Sequence, residues 1–328
     1  MIYDIYHDES KEEAYWHIFL FIPRLRKNEI IFNLKLARQN TRFKGRKLHF
    51  VNLDSNTSFE CTKSWLSILR ASFQQVDKNK KEYFYAGKSD YNSSMNRRFS
   101  IFSKFDQVPR CKVAIFHLKN KHDDMDGHFD GLSRIETTFR MGLQGAAHYC
   151  FSVEDPLEIG KIFLDREEHY RIEHYREFDK NKVLNKLEYK MREYCKLASD
   201  CEIVGEDIEE DDNMLLELAD LFLGTFRFGI IKPTAEVCSK VAEVAKYGLC
   251  KEIYPLILRL TQGFARMQNS RYNGFGTFST AWIENGDWKF SNMEAKFLSL
   301  NEVSNTQLEF PMGHHPEPAL VPSEAERA

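Results

Sequence analysis

The segment Asp212–Phe228 constrains the fold of this chain most, because its apolar residues occupy nearly every side of a helix. A helix of this kind is buried on more than one side, which requires further layers of structure around it. Glu217 and Asp220, three residues apart, nevertheless share one of its faces. A buried carboxylate is costly unless a cation or hydrogen-bond donors accompany it. The segment therefore predicts a layered fold and a positively charged partner for Asp220.

Shorter segments elsewhere have the patterns of strands and helices. Ile2–Asp8 alternates, and a polar stretch separates it from the almost continuously apolar Tyr15–Ile22, so an antiparallel hairpin is predicted. Further strands are predicted at Arg46–Val51, Lys112–Leu118, Gly160–Leu164 and Cys201–Val204. Helices are predicted at Leu132–Phe151, Lys180–Leu197 and Asp212–Phe228, and another through Phe73 from a cap at Thr57 or Ser58. This order predicts an α/β fold with a mixed sheet and helices on both faces.

The pattern of strand and helix signals changes after residue 232. Residues 1–232 contain the strand and helix patterns, whereas 233–310 have the pattern of a mainly helical region that ends in a loop-rich aromatic stretch, Tyr272–Phe290. Residues 311–328 contain four prolines and no apolar pattern, so a disordered tail is expected. We therefore expect one main domain with a helical C-terminal extension.

Composition excludes several classes of protein. Apolar residues make up 42% of the chain, which is too many for a disordered protein. The seven cysteines form no CxxC pair, so reduced thiols and a cytoplasmic location are expected. The first residues, MIYDIYHDES, do not have the pattern of a secretory signal. No run of about eighteen apolar residues is present, so no membrane partner is expected.

Positive charge is concentrated in one segment, although the net charge of the chain is only −3. Residues 24–47 contain nine basic residues, opposed only by Glu29. Such a segment can hold the phosphate backbone of a nucleic acid. The residues predicted to contact nucleic acid are Arg42, Lys44, Arg46 and Lys47.

Acidic residues end two of the predicted strands. Asp8 and Glu9 end the first strand, and Asp165 ends the strand GKIFL. With Glu217 and Asp220 they come from three distant segments, which suggests a shared cation. Hard oxygen donors without cysteine favour Mg²⁺ or Mn²⁺ over zinc. Two such ions about 4 Å apart can support hydrolysis of a phosphodiester.

Structural interpretations of the same residues stay open. A turn, a cap or an exposed surface could explain Asp8, Glu9, Asp165 and Glu217. Asp220 is harder to explain in this way, because it lies in mid-helix between two apolar residues. His49 could be a metal ligand, a proton shuttle or a hydrogen-bonded structural histidine.

Four short motifs suggest a family. The chain contains YHDES at Tyr6–Ser10, KLH at Lys47–His49, IFLD ending at Asp165, and LELADLFLG around Asp220. In this order, over roughly residues 1–230, they resemble the motifs of the family called domain of unknown function 3800. Lys11 follows the Asp-Glu-Ser triplet where glycine is usual.

The resemblance implies a ribonuclease H-like fold with a metal-dependent nuclease site at Asp8, Asp165 and Asp220. Sites of this kind usually have a fourth acid, and the candidates are Glu9, Glu60, Glu136 and Glu217. The late helix of the family more often carries glutamine where Glu217 stands. Members are often encoded near phage-defence genes, so the resemblance also implies an antiviral role.

Two functions are therefore expected. The first is Mg²⁺- or Mn²⁺-dependent cleavage of RNA or an RNA-containing duplex, with DNA as another substrate to be tested. In that function Glu9, Glu217 and His49 would support the three aspartates. The second is a catalytically inactive ribonuclease H-like module that binds nucleic acid or a partner protein, which includes a second copy of the chain.

Overall fold

The computed structural model describes residues 1–10, 15–73, 76–77, 107–119, 134–153, 155–165, 180–191, 193–231, 240–261, 275–285 and 287–290. Its strands are β1 (Ile2–Ser10), β2 (Tyr15–Pro23), β3 (Val76–Asp77), β4 (Gln107–Val108), β5 (Lys112–Leu118), β6 (Leu157–Leu164), β7 (Cys195–Val204), β8 (Gly276–Glu284) and β9 (Asp287–Phe290). Its helices are α1 (Arg24–Asn40), α2 (Asn56–Ser72), α3 (Arg134–Cys150), α4 (Lys180–Met191), α5 (Glu210–Ile231) and α6 (Val241–Thr261).

Seven strands form one mixed sheet in the order β7-β6-β1-β2-β5-β8-β9, and β3 pairs with β4 separately. β1 and β2 form the predicted antiparallel hairpin, and β2 is also antiparallel to β5. β6 runs parallel to both β1 and β7, and β8 runs parallel to β5. The predicted α/β fold with a mixed sheet is therefore confirmed, and the carboxyl ends of β1, β5 and β6 lie at one edge.

Helices cover both faces of this sheet. On one face, side chains such as Tyr6, Ile18 and Leu20 belong to the core that α1, α2, α5 and α6 complete. On the other face, Ile5 and Phe19 pack with side chains of α3 and α4. Neighbouring residues of a strand point to opposite faces, so even-numbered positions of β1 face α5 and odd-numbered ones face α3.

Helix α5 has the burial that its sequence predicts. Every residue from Met214 to Arg227 is buried, because α5 contacts the sheet on one side and α1, α2 and α6 on others. Among the described residues, no helix is long and apolar enough to cross a membrane.

Several predicted elements were wrong in type or extent. Residues 46–51 form turns and loops, not a strand. Ser55 caps α2, and Ser58 completes a reciprocal capping pair three residues later. The helix predicted at Lys180–Leu197 ends at Met191, and β7 already begins at Cys195. The charged segment Arg24–Asn40, which was interpreted only as a basic surface, is helix α1.

The C-terminal region differs from the expected helical extension. It supplies α6, but also β8 and β9, which extend the main sheet beyond β5. Within the aromatic stretch predicted to be loop-rich, the described residues thus form two strands, Gly276–Glu284 and Asp287–Phe290. The predicted tail at 311–328 lies outside the described residues.

Candidate functional site

Asp8 and Asp165 are neighbours at the carboxyl edge of the sheet. His7 of β1 is in parallel register with Leu164 of β6, and each aspartate is the next residue of its chain. The backbone N–H of Asp165 donates to the carbonyl of His7 at 3.4 Å. Adjacent strands lie about 4.8 Å apart, so the two aspartates are side by side on the face that α5 covers.

Two side-chain bonds align β1 with α5. The hydroxyl of Tyr6 donates to Asp212 Oδ1 at 2.5 Å near the start of α5. At the carboxyl end of β1, the guanidinium of Arg227 donates to Ser10 Oγ. Tyr6 and Ser10 are even-numbered positions of β1, so both bonds lie on the α5 face and hold the strand along the helix.

This alignment brings Asp8 towards Asp220. Asp8 lies midway between the two bonded residues of β1, and Asp220 lies about midway between the two bonded residues of α5. Asp8 is 6% exposed and Asp220 is 9% exposed. The strand, its parallel neighbour and the helix thus each place one predicted aspartate on the side of the sheet that α5 covers.

Residues 46–51, which we call the strap, close this region from the side of α1. The backbone N–H of Leu48 donates to Glu217 Oε2 at 3.0 Å, and that of Phe50 donates to Asp220 Oδ2 at 2.7 Å. These amides bond carboxylates of α5 instead of a neighbouring strand. The strand predicted here is absent for that reason.

The start of the strap is set by the end of α1. Arg42 has a positive φ of 55°, and its N–H donates to the carbonyl of Gln39 at 3.1 Å. The N–H of Phe43 donates to the carbonyl of Arg38, also at 3.1 Å. These two bonds form a Schellman motif, in which glycine is the usual residue at the left-handed position. The chain therefore turns sharply and enters the strap.

The strap places Lys47 among the carboxylates. Lys47 Nζ lies 3.0 Å and 3.4 Å from the two carboxylate oxygens of Asp165. Burial alone would lower the pKa of Lys47, but the carboxylates of Asp165, Glu217 and Asp220 together raise it above its ordinary value. The ammonium group of Lys47 is therefore close enough to interact with Asp165, Glu217 and Asp220.

His49 approaches Asp220 from the same strap. Its Nε2 lies 3.9 Å from Asp220 Oδ1, while its Nδ1 accepts a hydrogen bond from the N–H of Val51 at 3.3 Å. The imidazole therefore faces the second oxygen of Asp220, the one that the amide of Phe50 does not bond. The prediction that His49 belongs to the site is consistent with this position.

Burial dominates the electrostatics of Asp220. Desolvation raises the pKa of its carboxyl and the nearby Asp165 raises it further, whereas His49, the Phe50 amide and Lys47 lower it. The balance leaves the pKa of Asp220 above its usual value. A buried carboxylate with a raised pKa is typical of functional sites, although not confined to them.

Glu217 contacts other groups than the three aspartates. Its Oε2 accepts hydrogen bonds from the guanidinium of Arg38 at 2.6 Å and from the N–H of Leu48 at 3.0 Å. Burial raises the pKa of Glu217, while the Leu48 amide, Arg38 and Lys47 lower it. These contacts join α5 to α1 and to the strap, so Glu217 holds the framework of the site together.

The other candidates for a fourth acid lie elsewhere. Glu9 is an odd-numbered residue of β1, paired in register with His17, and it points to the α3 face. Glu136 is buried on α3 itself, on that same side of the sheet. Glu60 is exposed on α2. The structure therefore does not bring these three glutamates together with Asp8, Asp165 and Asp220.

The basic segment divides into two parts. Carboxylates pair with the basic residues of α1, namely Arg24, Arg26, Lys27, Lys35 and Arg38. Beyond α1, three exposed basic side chains form no ion pair within the described part of the chain: Arg42, Lys44 and Arg46. Lys47 follows them and reaches Asp165. The three exposed basic residues thus directly precede, along the chain, the lysine that contacts Asp165.

Sequence reasoning missed two positioning contacts of the site, Arg38 with Glu217 and Arg227 with Ser10. Arg38 stood within a basic run and could not be assigned a partner 179 residues away. Arg227 did carry a signal, because an arginine on an otherwise apolar helix needs a polar partner as much as Asp220 does.

The aspartates have the oxygen donors that Mg²⁺ or Mn²⁺ prefers. In the conformation described, Lys47 donates to both oxygens of Asp165, and the Phe50 amide donates to one oxygen of Asp220. Within the described residues, no group of three or more histidine, cysteine or acidic side chains is arranged to hold a metal ion. At Asp165, a metal ion would compete with Lys47 for the two carboxylate oxygens.

Comparison of the chain with protein-family models, with curated proteins and with solved structures finds no match.

Proposed function

We propose that this protein is a divalent-metal-dependent nuclease whose site is formed by Asp8, Asp165 and Asp220. The observation that carries the proposal is that β1, the end of β6 and α5 each place an aspartate on one side of the sheet, where Lys47 contacts Asp165 and interacts electrostatically with Asp220. Acids from such distant parts of a chain are costly to gather at one buried place. A site for cations explains why they are gathered.

A ribonuclease H-like fold is part of this proposal. It is supported by a mixed sheet with helices on both faces, and by acids at the ends of the first strand and of its parallel neighbour. The third acid lies on α5, the helix that packs against the first strand. Carboxyl ends of neighbouring strands are also where α/β proteins generally bind ligands.

Each residue of the site would have its own role. Asp8, Asp165 and Asp220 Oδ1 would hold Mg²⁺ or Mn²⁺. When bound, such ions lower the pKa of water and neutralise charge on a phosphodiester. His49, close to Asp220 Oδ1, would orient that carboxylate or pass a proton to solvent. Glu217 would fix the strap through Leu48.

The exposed residues Arg42, Lys44 and Arg46 would hold the phosphate backbone next to the aspartates. Such contacts are independent of the base sequence and weaken with salt. They do not separate RNA from DNA, and our preference for RNA or an RNA-containing duplex comes from the family resemblance. A role in phage defence has the same origin.

The test is cleavage of RNA, DNA and hybrid substrates by purified protein with Mg²⁺ or Mn²⁺. Asp8→Asn and Asp220→Asn should each lower the rate of cleavage by about 100-fold or more. Both variants should keep the circular dichroism spectrum of the wild type. Asp211→Asn is the control, because Asp211 is also a carboxylate of α5 but pairs with the exposed Lys35 of α1. This control should still cleave.

One observation favours a second function, a module that binds nucleic acid without cleaving it. Lys47 already neutralises Asp165, so the site can be satisfied without a metal. Wild-type protein that binds these substrates but leaves all of them intact with both ions would support this alternative and contradict the nuclease proposal.

A further inference from the structure

Lys47 is the residue of the site whose position is least expected in a metal-binding protein. Its ammonium group contacts both oxygens of Asp165, so it stands where a divalent ion would bind that carboxylate. Its side chain is nevertheless 47% exposed, whereas that of Asp165 is only 12% exposed. The lysine side chain thus reaches the site from the solvent side, whereas the aspartate side chain lies mostly buried beneath it.

The backbone around Lys47 is fixed although its side chain is not. The amides of Leu48 and Phe50 bond two carboxylates of α5, and the carbonyl of Arg46 accepts from the guanidinium of Arg38 at 3.3 Å. An exposed lysine has a long flexible stem with many rotamers. Lys47 can therefore release Asp165 by a change of rotamer, without any movement of the strap.

A position for the released ammonium is close by. Lys47 follows the exposed residues Arg42, Lys44 and Arg46, which would contact a phosphate backbone. A lysine is a point charge with three donors and suits a phosphate oxygen as well as a carboxylate. Two cations at one carboxylate repel each other, so a divalent ion at Asp165 favours this new position.

We propose that Lys47 is the counter-ion of Asp165 in the metal-free protein and moves to a substrate phosphate when a divalent ion binds the aspartates. Lys47 is then a positioning residue that couples metal binding to nucleic-acid binding. This inference rests on the proposed metal site but not on cleavage. By linkage, each ligand should increase the affinity of the protein for the other.

The first experiment measures Mn²⁺ binding to the full chain without nucleic acid, by calorimetry. Lys47→Met removes the competing charge but keeps much of the apolar stem. It should bind Mn²⁺ about fivefold more tightly than the wild type, which corresponds to the loss of one partly exposed ion pair. Lys44→Met is the matched control on the same loop, and its Mn²⁺ affinity should stay within about twofold of the wild type.

The second experiment measures binding of a short fluorescent RNA by anisotropy, with and without Mn²⁺, in samples whose RNA is still full length on a gel. Mn²⁺ should increase the affinity of the wild type for RNA. The increase should be smaller by several-fold in Lys47→Met, whereas Lys44→Met should weaken binding equally with and without Mn²⁺. This difference separates coupling from simple loss of charge.

The outcomes distinguish the two proposals. Equal or weaker Mn²⁺ binding by Lys47→Met, with binding lost in Asp220→Asn, would overturn the role of Lys47 and leave the metal site standing. No Mn²⁺ binding by wild type or Lys47→Met would overturn both. Tighter Mn²⁺ binding by Lys47→Met in a protein that cleaves nothing would support the exchange and contradict only the nuclease proposal.

Discussion

At the scale of single residues, Asp220 shows how much the sequence can predict about this site. Its position between apolar neighbours predicts burial and a need for partners, and both are found. The identity of those partners could not be predicted. A backbone amide of Phe50 and an imidazole of His49 depend on where a distant loop lies, which no local pattern records.

The raised pKa of Asp220 predicts how stability depends on pH in the absence of divalent ions. Because burial raises the pKa of this carboxyl in the folded state, the stability it contributes is present at low pH and is lost as the pH rises through the raised value. Asp220→Asn stays neutral and can still accept from the Phe50 amide. It should therefore be more stable than the wild type at pH 8, by about 1 kcal/mol, and differ little near pH 4.

Thermal unfolding at both pH values in a chelator checks this expectation. A gain of about 1 kcal/mol corresponds to roughly 2–4 °C in Tm for a chain of this size. A variant less stable than the wild type at pH 8 would mean that Lys47 and His49 outweigh the cost of burying the charge. The carboxylate would then be a structural ion pair as much as a functional group.

At the scale of elements, α5 and the strap illustrate the limits of pattern-based prediction. The extent of α5 was predicted closely, because seventeen consecutive residues carry a consistent signal. Residues 46–51 have a strand-like alternation but bond carboxylates of α5 instead. Alternation records which side chains are buried. It does not show which groups the backbone amides hydrogen-bond, so the same pattern fits both a strand and a loop such as the strap.

Gly224 of α5 offers a test of the strap. A Cβ at this position would overlap the ring of Phe50, so the glycine allows the strap to lie against the helix. Gly224→Ala should displace Phe50 and weaken the bond of its amide to Asp220. Alanine itself favours a helix by about 1 kcal/mol, so the helix should stay intact.

Hydrogen exchange measures this effect directly. The amide of Phe50 should exchange at least tenfold faster in Gly224→Ala, which corresponds to the loss of about 1.4 kcal/mol of local protection. Gly248→Ala on α6 is the matched control, because nothing lies within 4 Å of a Cβ there. Unchanged protection of Phe50 in Gly224→Ala would show that the ring can move without releasing the strap.

At the scale of the whole molecule, the sequence predicted the class of fold but not its extent. A mixed sheet follows from an initial hairpin and the alternation of strands and helices after it. The inclusion of β8 in that sheet did not follow, because its pairing with β5 joins segments more than 160 residues apart. Such pairing leaves no local signal, and the aromatic residues of β8 suggested a loop-rich layer instead.

The pairing of β8 with β5 predicts that residues 1–232 do not fold alone. Without residues 233–310, β5 would lose one neighbour and α5 would lose its contact with α6. A chain of residues 1–232 should be insoluble or should lack cooperative thermal unfolding. A chain of residues 1–310 should unfold like the full protein. A cooperative transition in the shorter chain would contradict this expectation and establish an independent domain.

The common edge of β1, β5 and β6 has a consequence for how such a protein can diversify. Strands β1, β5 and β6 all end at the edge of the sheet where the aspartates lie. Insertions after these strand ends would alter what reaches the aspartates, while the register of the strands keeps the aspartates in place. Selectivity and reactivity could therefore evolve separately, the first in the connections and the second in the sheet.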